Sequence, residues 1–343
     1  MKIIKGSEQV RKAARDYENY SSDLQGDQDV RDYKQLPLEV DPPHHTELRA
    51  MLAPWLDRAA MPKYEEPFRE IASNLIDGIK DEVEVTHDLA LQMIVQCLGV
   101  VFGRPQDVAE WYSWGPDTWI TDEEGIRHGD HLDRYLKKIF DELDENPTDD
   151  LFGVVNRSVV SGKELIRKEK YGIANLVLAG GRDTVVKLIS GCLWHLANNE
   201  EHRTTLRNQP ELIPDFISEM VRFLSPLPMM HRVDVAETTN PDEPKYAWLS
   251  FISANQDSSV IKDPEQIRLD RGANPHLGFG YGRHSCIGMH LAQLEAKIIL
   301  ELWLAKFDSW EVLDDSQLFF DFEEYPFIPS RFHSLHLKVI KSL

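Results

Sequence analysis

The stretch GFGYGRHSCIG, from Gly278 to Gly288, places one cysteine between a glycine-dense loop and an apolar run. Glycine permits positive φ and lets the backbone approach a flat ligand closely. The apolar run predicts a helix from Cys286 to about Phe307, whose amino terminus would favour the thiolate, a strong metal donor. The glycine spacing fits neither a dinucleotide loop nor a phosphate loop. Taken alone, the segment is also compatible with a glycine-rich turn and a buried core cysteine.

Composition bounds the class of protein. The chain has 343 residues, 42% of them hydrophobic and 28% charged, which is enough to bury a substantial core. Its net charge of −20 repels phosphate backbones and anionic lipids, so we expect no nucleic-acid partner and no membrane association. The first residues lack the apolar run of a signal peptide, and we expect a cytoplasmic protein. Three cysteines without a CxxC pair exclude a disulfide scaffold and a cysteine-rich zinc site.

Apolar residues recur mainly at helical intervals, which predicts a mainly α fold with a small sheet. The most continuous apolar pattern predicts one buried helix from 171 to 199. Another helix is predicted from 212 to 224, and strands at 246–253 and 335–340. No repeat or shift in composition marks a boundary, so residues 1–343 are predicted to form one domain.

The long predicted helix contains LAGGRDT, from Leu178 to Thr184. Gly180 and Thr184 are four residues apart and share one helix face, where the glycine leaves space beside a hydroxyl. Asp183 precedes the threonine and could carry protons inward from solvent. Arg182 should point away from that face. On their own, these residues would also fit a kinked helix.

The cysteine loop resembles the haem-binding loop of the cytochrome P450 superfamily, in its soluble bacterial form, at Phe279, Gly280, Gly282, His284, Cys286 and Gly288. This resemblance implies a cytochrome P450 fold, a helical haem domain that binds haem b (iron protoporphyrin IX). It also implies that Cys286 is the axial thiolate ligand of the iron, with Phe279 and Gly288 against the cofactor. The GGRDT segment is similar to that of the camphor hydroxylase of this family. Gly180 would then adjoin the cofactor, and Asp183 and Thr184 would be the catalytic acid–alcohol pair.

Two buried haem propionates need cationic partners. The segment DPPHHTELR, from Asp41 to Arg49, resembles the family's DPPxHTxLR, whose histidine and arginine reach one propionate. The resemblance therefore implies that His45 and Arg49 bind the cofactor, with His284 and Arg232 as further candidates. Without it, a histidine pair is more often a surface feature or a weak metal site.

Glu219 and Arg222 are three residues apart on a predicted helix. Such a pair is usually a solvated surface feature, whereas the resemblance implies a buried structural ion pair behind the haem. Gln266 and Ile267 stand where the family often has arginine and phenylalanine. The sequence therefore leaves open which residue is the third member of this charge cluster.

Family position also predicts a substrate pocket and two departures from the usual fold. The pocket residues are Leu176, Ala179, Leu227, Met229 and Met230, with Phe327 and Ile328 closing it from the carboxyl end. Such a surface suits a small to medium hydrophobic substrate. We expect the amino-terminal part to be shortened by about one helix and one strand before Val10, and the hairpin between Arg232 and Asn255 to be trimmed.

The resemblance implies a haem-thiolate monooxygenase, an oxidoreductase that activates O2 with electrons from a separate ferredoxin or flavodoxin-type donor. It would hydroxylate or dealkylate its substrate. Two alternatives stay open: a peroxide-dependent or electron-independent haem-thiolate enzyme, and a catalytically silent haem-binding protein. Asp183 and Thr184 argue against the first, because peroxide users of the family typically replace that pair.

Overall fold

The computed structural model describes residues 2–23, 33–115, 120–121, 127–128 and 130–341, and over these the chain is mainly helical, as predicted. The α-helices are α1 Ser7–Arg15, α2 His44–Leu56, α3 Pro62–Asp77, α4 Gln92–Val101, α5 Val108–Ser113, α6 Asp130–Glu145, α7 Leu151–Arg157, α8 Arg167–Ala179, α9 Arg182–Asn198, α10 Glu200–Asn208, α11 Ile213–Leu224, α12 Phe251–Asn255 and α13 Met289–Lys306. The strands are β1 Lys2–Ile4, β2 Tyr20–Ser21, β3 Glu82–Glu84, β4 Ile120–Thr121, β5 Arg127–His128, β6 Val159–Val160, β7 Lys163–Glu164, β8 Met229–Asp234, β9 Tyr246–Ser250, β10 Phe307–Asp314, β11 Leu318–Phe319, β12 Arg331–Phe332 and β13 His336–Lys341. No described helix is long and apolar enough to cross a bilayer.

Of the five small sheets among the described residues, the two largest have four and three strands. One has the strand order β1-β9-β8-β2, with β1 parallel to β9, and the other has the order β10-β13-β3. Strands β8 and β9 form an antiparallel hairpin from Met229, opposite Ser250, to Val233, opposite Tyr246, so the hairpin expected to be trimmed is present. The predicted strand at 246–253 ends early, because the Ser250 hydroxyl accepts a hydrogen bond from the Ser253 amide and begins α12.

The prediction of one continuous helix over 171–199 is wrong. Helix α8 ends at Ala179 and α9 begins at Arg182, with Gly180 and Gly181 between them. Each glycine costs a helix about 1 kcal/mol relative to alanine, so two in succession form a natural break. The apolar period continues across the break, which is why the sequence pattern concealed it.

The cysteine loop also differs from its predicted form at the helix start. Helix α13 begins at Met289, three residues after Cys286, with Gly288 as its amino-terminal cap. The loop is closed by a hydrogen bond from the Cys286 amide to the Phe279 carbonyl at 2.7 Å. Gly280 and Gly282 have φ of +71° and +76°, a region that favours glycine, so the loop needs both residues.

Glu219 on α11 holds the segment before the cysteine loop in place. Its carboxylate accepts two bonds from Arg222 at 2.8 Å and two from Arg271 at 2.9 Å, and all three side chains are buried. Burial alone would raise the pKa of Glu219, but these hydrogen bonds outweigh it and hold the pKa below its usual value. Arg271 is thus the third member of the charge cluster, a role that the sequence did not assign to it.

We expect Arg271→Met to lower the free energy of unfolding by about 2–3 kcal/mol, because it leaves a buried carboxylate short of two donors. Urea denaturation of the purified protein measures the change. Arg268→Met is the matched control, since Arg268 pairs with the exposed residues Asp263 and Asp270. Equal urea midpoints for the two variants would contradict a supporting role for Arg271.

Candidate active site

One large cavity lies between the cysteine loop, the α8–α9 break and the turn before β8. Its empty volume is about 1570 Å³, part of it open to solvent. The predicted site residues that line it are Arg49, Leu176, Gly180, Thr184, Leu227, Met230, Arg232, Phe279, His284, Cys286 and Gly288.

The Cys286 side chain is exposed to this cavity. Burial among the surrounding atoms raises the pKa of its thiol, whereas the Gly288 amide, which donates to the sulfur, and the Arg49 charge act in the opposite direction. Arg49 is anchored there because its Nη1 donates to the Ser285 carbonyl at 2.8 Å. The surrounding protein groups therefore do not lower the thiol pKa, in contrast to the expectation from the helix terminus. A bound metal would have to stabilise the thiolate.

Four basic side chains gather around one end of the cavity. The rings of His45 and His284 lie 4.1 Å apart between centroids, and His45 is buried behind the cavity wall. Burial, with added repulsion from Arg49, lowers the pKa of His45 to about 4. Burial also lowers the pKa of Arg232 to about 10, and burial with repulsion from Arg232 holds that of His284 far below its usual value. Asp41 is the nearby acid, with Oδ1 4.0 Å from His284 Nε2.

This cluster fits the acidic end of a haem. Both ring nitrogens of His45 and the Nε2 of His284 are buried without a hydrogen-bond partner among the described residues. The positive charges of Arg49 and Arg232 and the buried histidine nitrogens without partners both favour a bound anion. A haem supplies two carboxylates and an iron that accepts a thiolate. The side chains present could thus hold a haem, with Cys286 at the iron and Arg49 and Arg232 among the partners of the propionates.

The break between α8 and α9 brings Gly180, Gly181 and Thr184 to the cavity wall. A side chain at Gly180 would meet the Leu176 carbonyl at 2.6 Å, so only glycine leaves this stretch of backbone open. Asp183 is exposed and lies outside the lining, at the solvent side of the same helix turn.

Arg182 points away from the cavity, as predicted. It is fully buried, and its guanidinium donates to the carbonyls of Trp111 and Gly115, with Nη2 2.7 Å from the Trp111 oxygen. Burial of an arginine at this position is therefore compensated by backbone oxygens from the segment around α5.

Four predicted pocket residues do not line the cavity. Ala179 and Met229 lie outside its wall, each next to a residue that lines it. Phe327 is 41% exposed and packs against Phe223 with 6.1 Å between ring centroids, and Ile328 is fully buried in the main core. The predicted carboxyl-terminal closure of the pocket is therefore wrong, because Ile328 packs in the main core and Phe327 is partly exposed to solvent.

Two buried ionisable residues near the site escaped the sequence analysis. Glu295 on α13 lines the cavity, and burial raises its pKa to about 8, while a hydrogen bond with Cys97 acts in the opposite direction. Lys187 on α9 follows Asp183 by one turn; burial lowers its pKa to about 7, although the charge of Asp183 opposes this. The Nζ of Lys187 has no hydrogen-bond partner among the described residues. A charged residue inside an apolar helical run was the signal available in both cases.

Comparisons with known proteins agree with this geometry. The family model described as Cytochrome P450 matches residues 253–325. A steroid C26-monooxygenase of Mycobacterium tuberculosis is 30% identical over 298 residues, covering 82% of this chain and 80% of that protein. The linalool 8-monooxygenase of Pseudomonas putida is 26% identical over 297 residues, covering 82% and 73%. A solved structure entitled "The structure of a carbohydrate active P450" superposes with a TM-score of 0.88 at 31% identity, covering 99% of this chain and 92% of that one.

Glu295 should make stability depend on pH. In the unfolded chain a glutamate loses its proton near pH 4.5, whereas in the folded protein Glu295 keeps it until about pH 8. Between these values the folded state binds more protons, so the free energy of unfolding falls as pH rises, by up to about 4 kcal/mol. We expect Glu295→Gln to remove most of this fall, as measured by urea denaturation at pH 5 and at pH 8.

The exposed Glu311 on β10 supplies the control, and Glu311→Gln should keep the pH dependence of the wild type. If Glu295→Gln shows the same fall in stability as the wild type, Glu295 is not the protonated group inferred from its burial.

Proposed function

The chain belongs to the cytochrome P450 family and is a monooxygenase that uses O2 and a redox partner, and from this premise we propose a more specific function. We propose that it binds haem b and receives electrons from a separate ferredoxin or flavodoxin-type donor. The product would be a hydroxylated or dealkylated form of a small to medium hydrophobic molecule. We further propose that residues 1–343 act as one haem domain in the cytoplasm.

One observation carries the proposal. The side chain of Cys286 faces a cavity that is also lined by the basic side chains of Arg49, Arg232 and His284, and both features match a haem, whose iron accepts a thiolate and whose carboxylates need cationic partners. When bound, that group supplies the redox chemistry that activates O2. Protein residues then have to hold the cofactor, exclude water and deliver protons.

Proton delivery is the role we propose for Thr184 and Asp183. Thr184 reaches the cavity wall, so its hydroxyl can hold a proton at Oγ1 on the substrate side. Asp183 is exposed one residue earlier and can exchange protons with solvent. Side chains of consecutive helical residues point about 100° apart, so the pair spans the helix from its solvent face to its cavity face.

The apolar part of the lining supports a hydrophobic substrate. Leu176, Leu227 and Met230 all line the cavity, and methionine adapts readily to ligands of irregular shape. A substrate rich in hydroxyl groups is the second candidate, since the carbohydrate-active relative is 31% identical. The observation that favours it is the side chain of Gln35, a polar group in the same wall.

The direct test of this function is turnover by the haem-loaded protein with a surrogate ferredoxin and its reductase. Substrate-dependent NADH consumption, matched by oxygenated product, is expected. Product formed with hydrogen peroxide alone, and none with the electron donors, would instead favour the peroxide-dependent alternative.

We expect Thr184→Ala to bind haem normally and to lower the fraction of NADH converted into product by about tenfold. The physical reason is that loss of a positioned proton donor typically costs a general acid–base step 10²-fold or more, so unproductive electron use competes. Product and NADH are measured in the same assay. Thr204→Ala, on the exposed face of α10, should keep wild-type coupling; unchanged coupling in Thr184→Ala would refute the role of its hydroxyl.

A further inference from the structure

A chain of side-chain hydrogen bonds leads from the cavity wall towards the protein surface. Gln35 lines the cavity, and its Nε2 donates to Asn175 Oδ1 at 2.6 Å. Asn175, fully buried on α8, donates from Nδ2 to the Tyr33 hydroxyl at 3.0 Å. The Tyr33 hydroxyl donates to Asp133 on α6, whose side chain is partly exposed. None of these four residues belongs to the predicted cofactor site.

The carboxylate at the outer end fixes the direction of every bond in this chain. An ionised carboxylate only accepts hydrogen bonds, so Tyr33 donates to Asp133 and its oxygen accepts the amide of Asn175. The side-chain oxygen of Asn175 therefore faces Gln35 and accepts a hydrogen bond from the side-chain amide nitrogen of Gln35. The carbonyl oxygen of Gln35 is left over, and it has no hydrogen-bond partner among the described residues.

The backbone around Gln35 is held as firmly as its side chain. Its amide donates to the Glu39 carboxylate at 2.6 Å, and its carbonyl accepts from the Glu39 amide at 2.8 Å. The Leu36 amide donates to the Gly172 carbonyl on α8 at 3.3 Å. A Cβ at Gly172 would stand 1.9 Å from the Lys34 oxygen, so this close approach requires glycine. Gln35 is therefore preorganised, and binding to it costs little ordering entropy.

We propose that Gln35 is a specificity-determining residue whose carbonyl oxygen accepts a hydrogen bond from a hydroxyl group of the substrate. The preferred substrate is then a largely apolar molecule that carries a hydroxyl. Leu38, Leu176 and Val177 line the wall beside Gln35, so the rest of such a molecule meets apolar surface. A ketone or hydrocarbon of the same shape offers no donor and leaves the Gln35 oxygen desolvated and unpaired. This inference rests on the proposed function, because it assigns the substrate of the same cavity.

The test is calorimetric titration of the haem-loaded protein with two matched sets of probes. Each set contains an alcohol, the corresponding ketone and the parent hydrocarbon, one set on the p-menthane skeleton and one on androstane. In at least one set we expect the alcohol to bind about tenfold more tightly than the ketone, the effect of roughly one hydrogen bond together with the cost of leaving its acceptor unpaired. Gln35→Met, similar in length but apolar, should abolish this ratio.

Asp133→Asn supplies a variant that lies outside the cavity lining. Its amide can donate as well as accept, so the direction of the hydrogen-bond chain is no longer fixed and Gln35 can turn its nitrogen towards the substrate. The ratio of alcohol to ketone affinity should then fall from about tenfold to about twofold, mainly because the ketone gains affinity. Glu145→Gln, an exposed loss of one charge on the same helix, should keep the tenfold ratio.

A merely structural role of Asp133 would weaken all ligands together and leave the ratio unchanged. The proposal is overturned if neither alcohol binds, if the ketones bind as tightly as the alcohols, or if Gln35→Met and Asp133→Asn both retain the preference. Haem content and coupled turnover are measured on the same preparations. A failure of those two readouts, with the alcohol preference intact, would count against the proposed function and not against the role of Gln35.

Discussion

An imbalance of charge in one cavity is the constraint on which the rest of the structure depends. His45, Arg49, Arg232 and His284 crowd around one end, and repulsion among them adds to burial in lowering the pKa of both histidines. Cys286 faces the same cavity from the loop before α13. A ligand with two carboxylates and a thiolate-binding metal would pair with both sets of groups. Membership of the cytochrome P450 family implies that this ligand is a haem.

The surrounding structure keeps these groups in place without taking part in chemistry. Glu219, Arg222 and Arg271 form a buried charge cluster whose guanidinium groups also hold the backbone carbonyls of the segment that leads into the cysteine loop. On the other side of the cavity, the break at Gly180 and Gly181 leaves the backbone next to Thr184 open. Rigid support on both sides lets a cavity of this size persist in a close-packed protein.

Short motifs predicted the parts of the site whose residues are neighbours in sequence. The cysteine loop, the Glu219–Arg222 pair and the mainly helical fold could all be read in this way, since local spacing carries them. Groups that tertiary packing brings together were predicted only where the family resemblance named them, as it did for Arg49, Arg232 and His284. Arg271 lies 52 positions from the carboxylate it binds, and Gln35 is joined to Asn175 across 140 positions. The predicted place of Phe327 in the pocket was wrong, because position in the family pattern does not show which neighbouring residues a side chain packs against.

The axial bond between Cys286 and the haem iron is the central claim, and a single measurement reaches it. Purified protein is reduced, exposed to carbon monoxide and compared by absorption spectroscopy with Cys286→His, which substitutes a nitrogen ligand. We expect the strongly red-shifted Soret band of a thiolate-ligated haem in the wild type and its absence in the variant. A wild-type band at the position given by the histidine variant, or no haem in either protein, would contradict it.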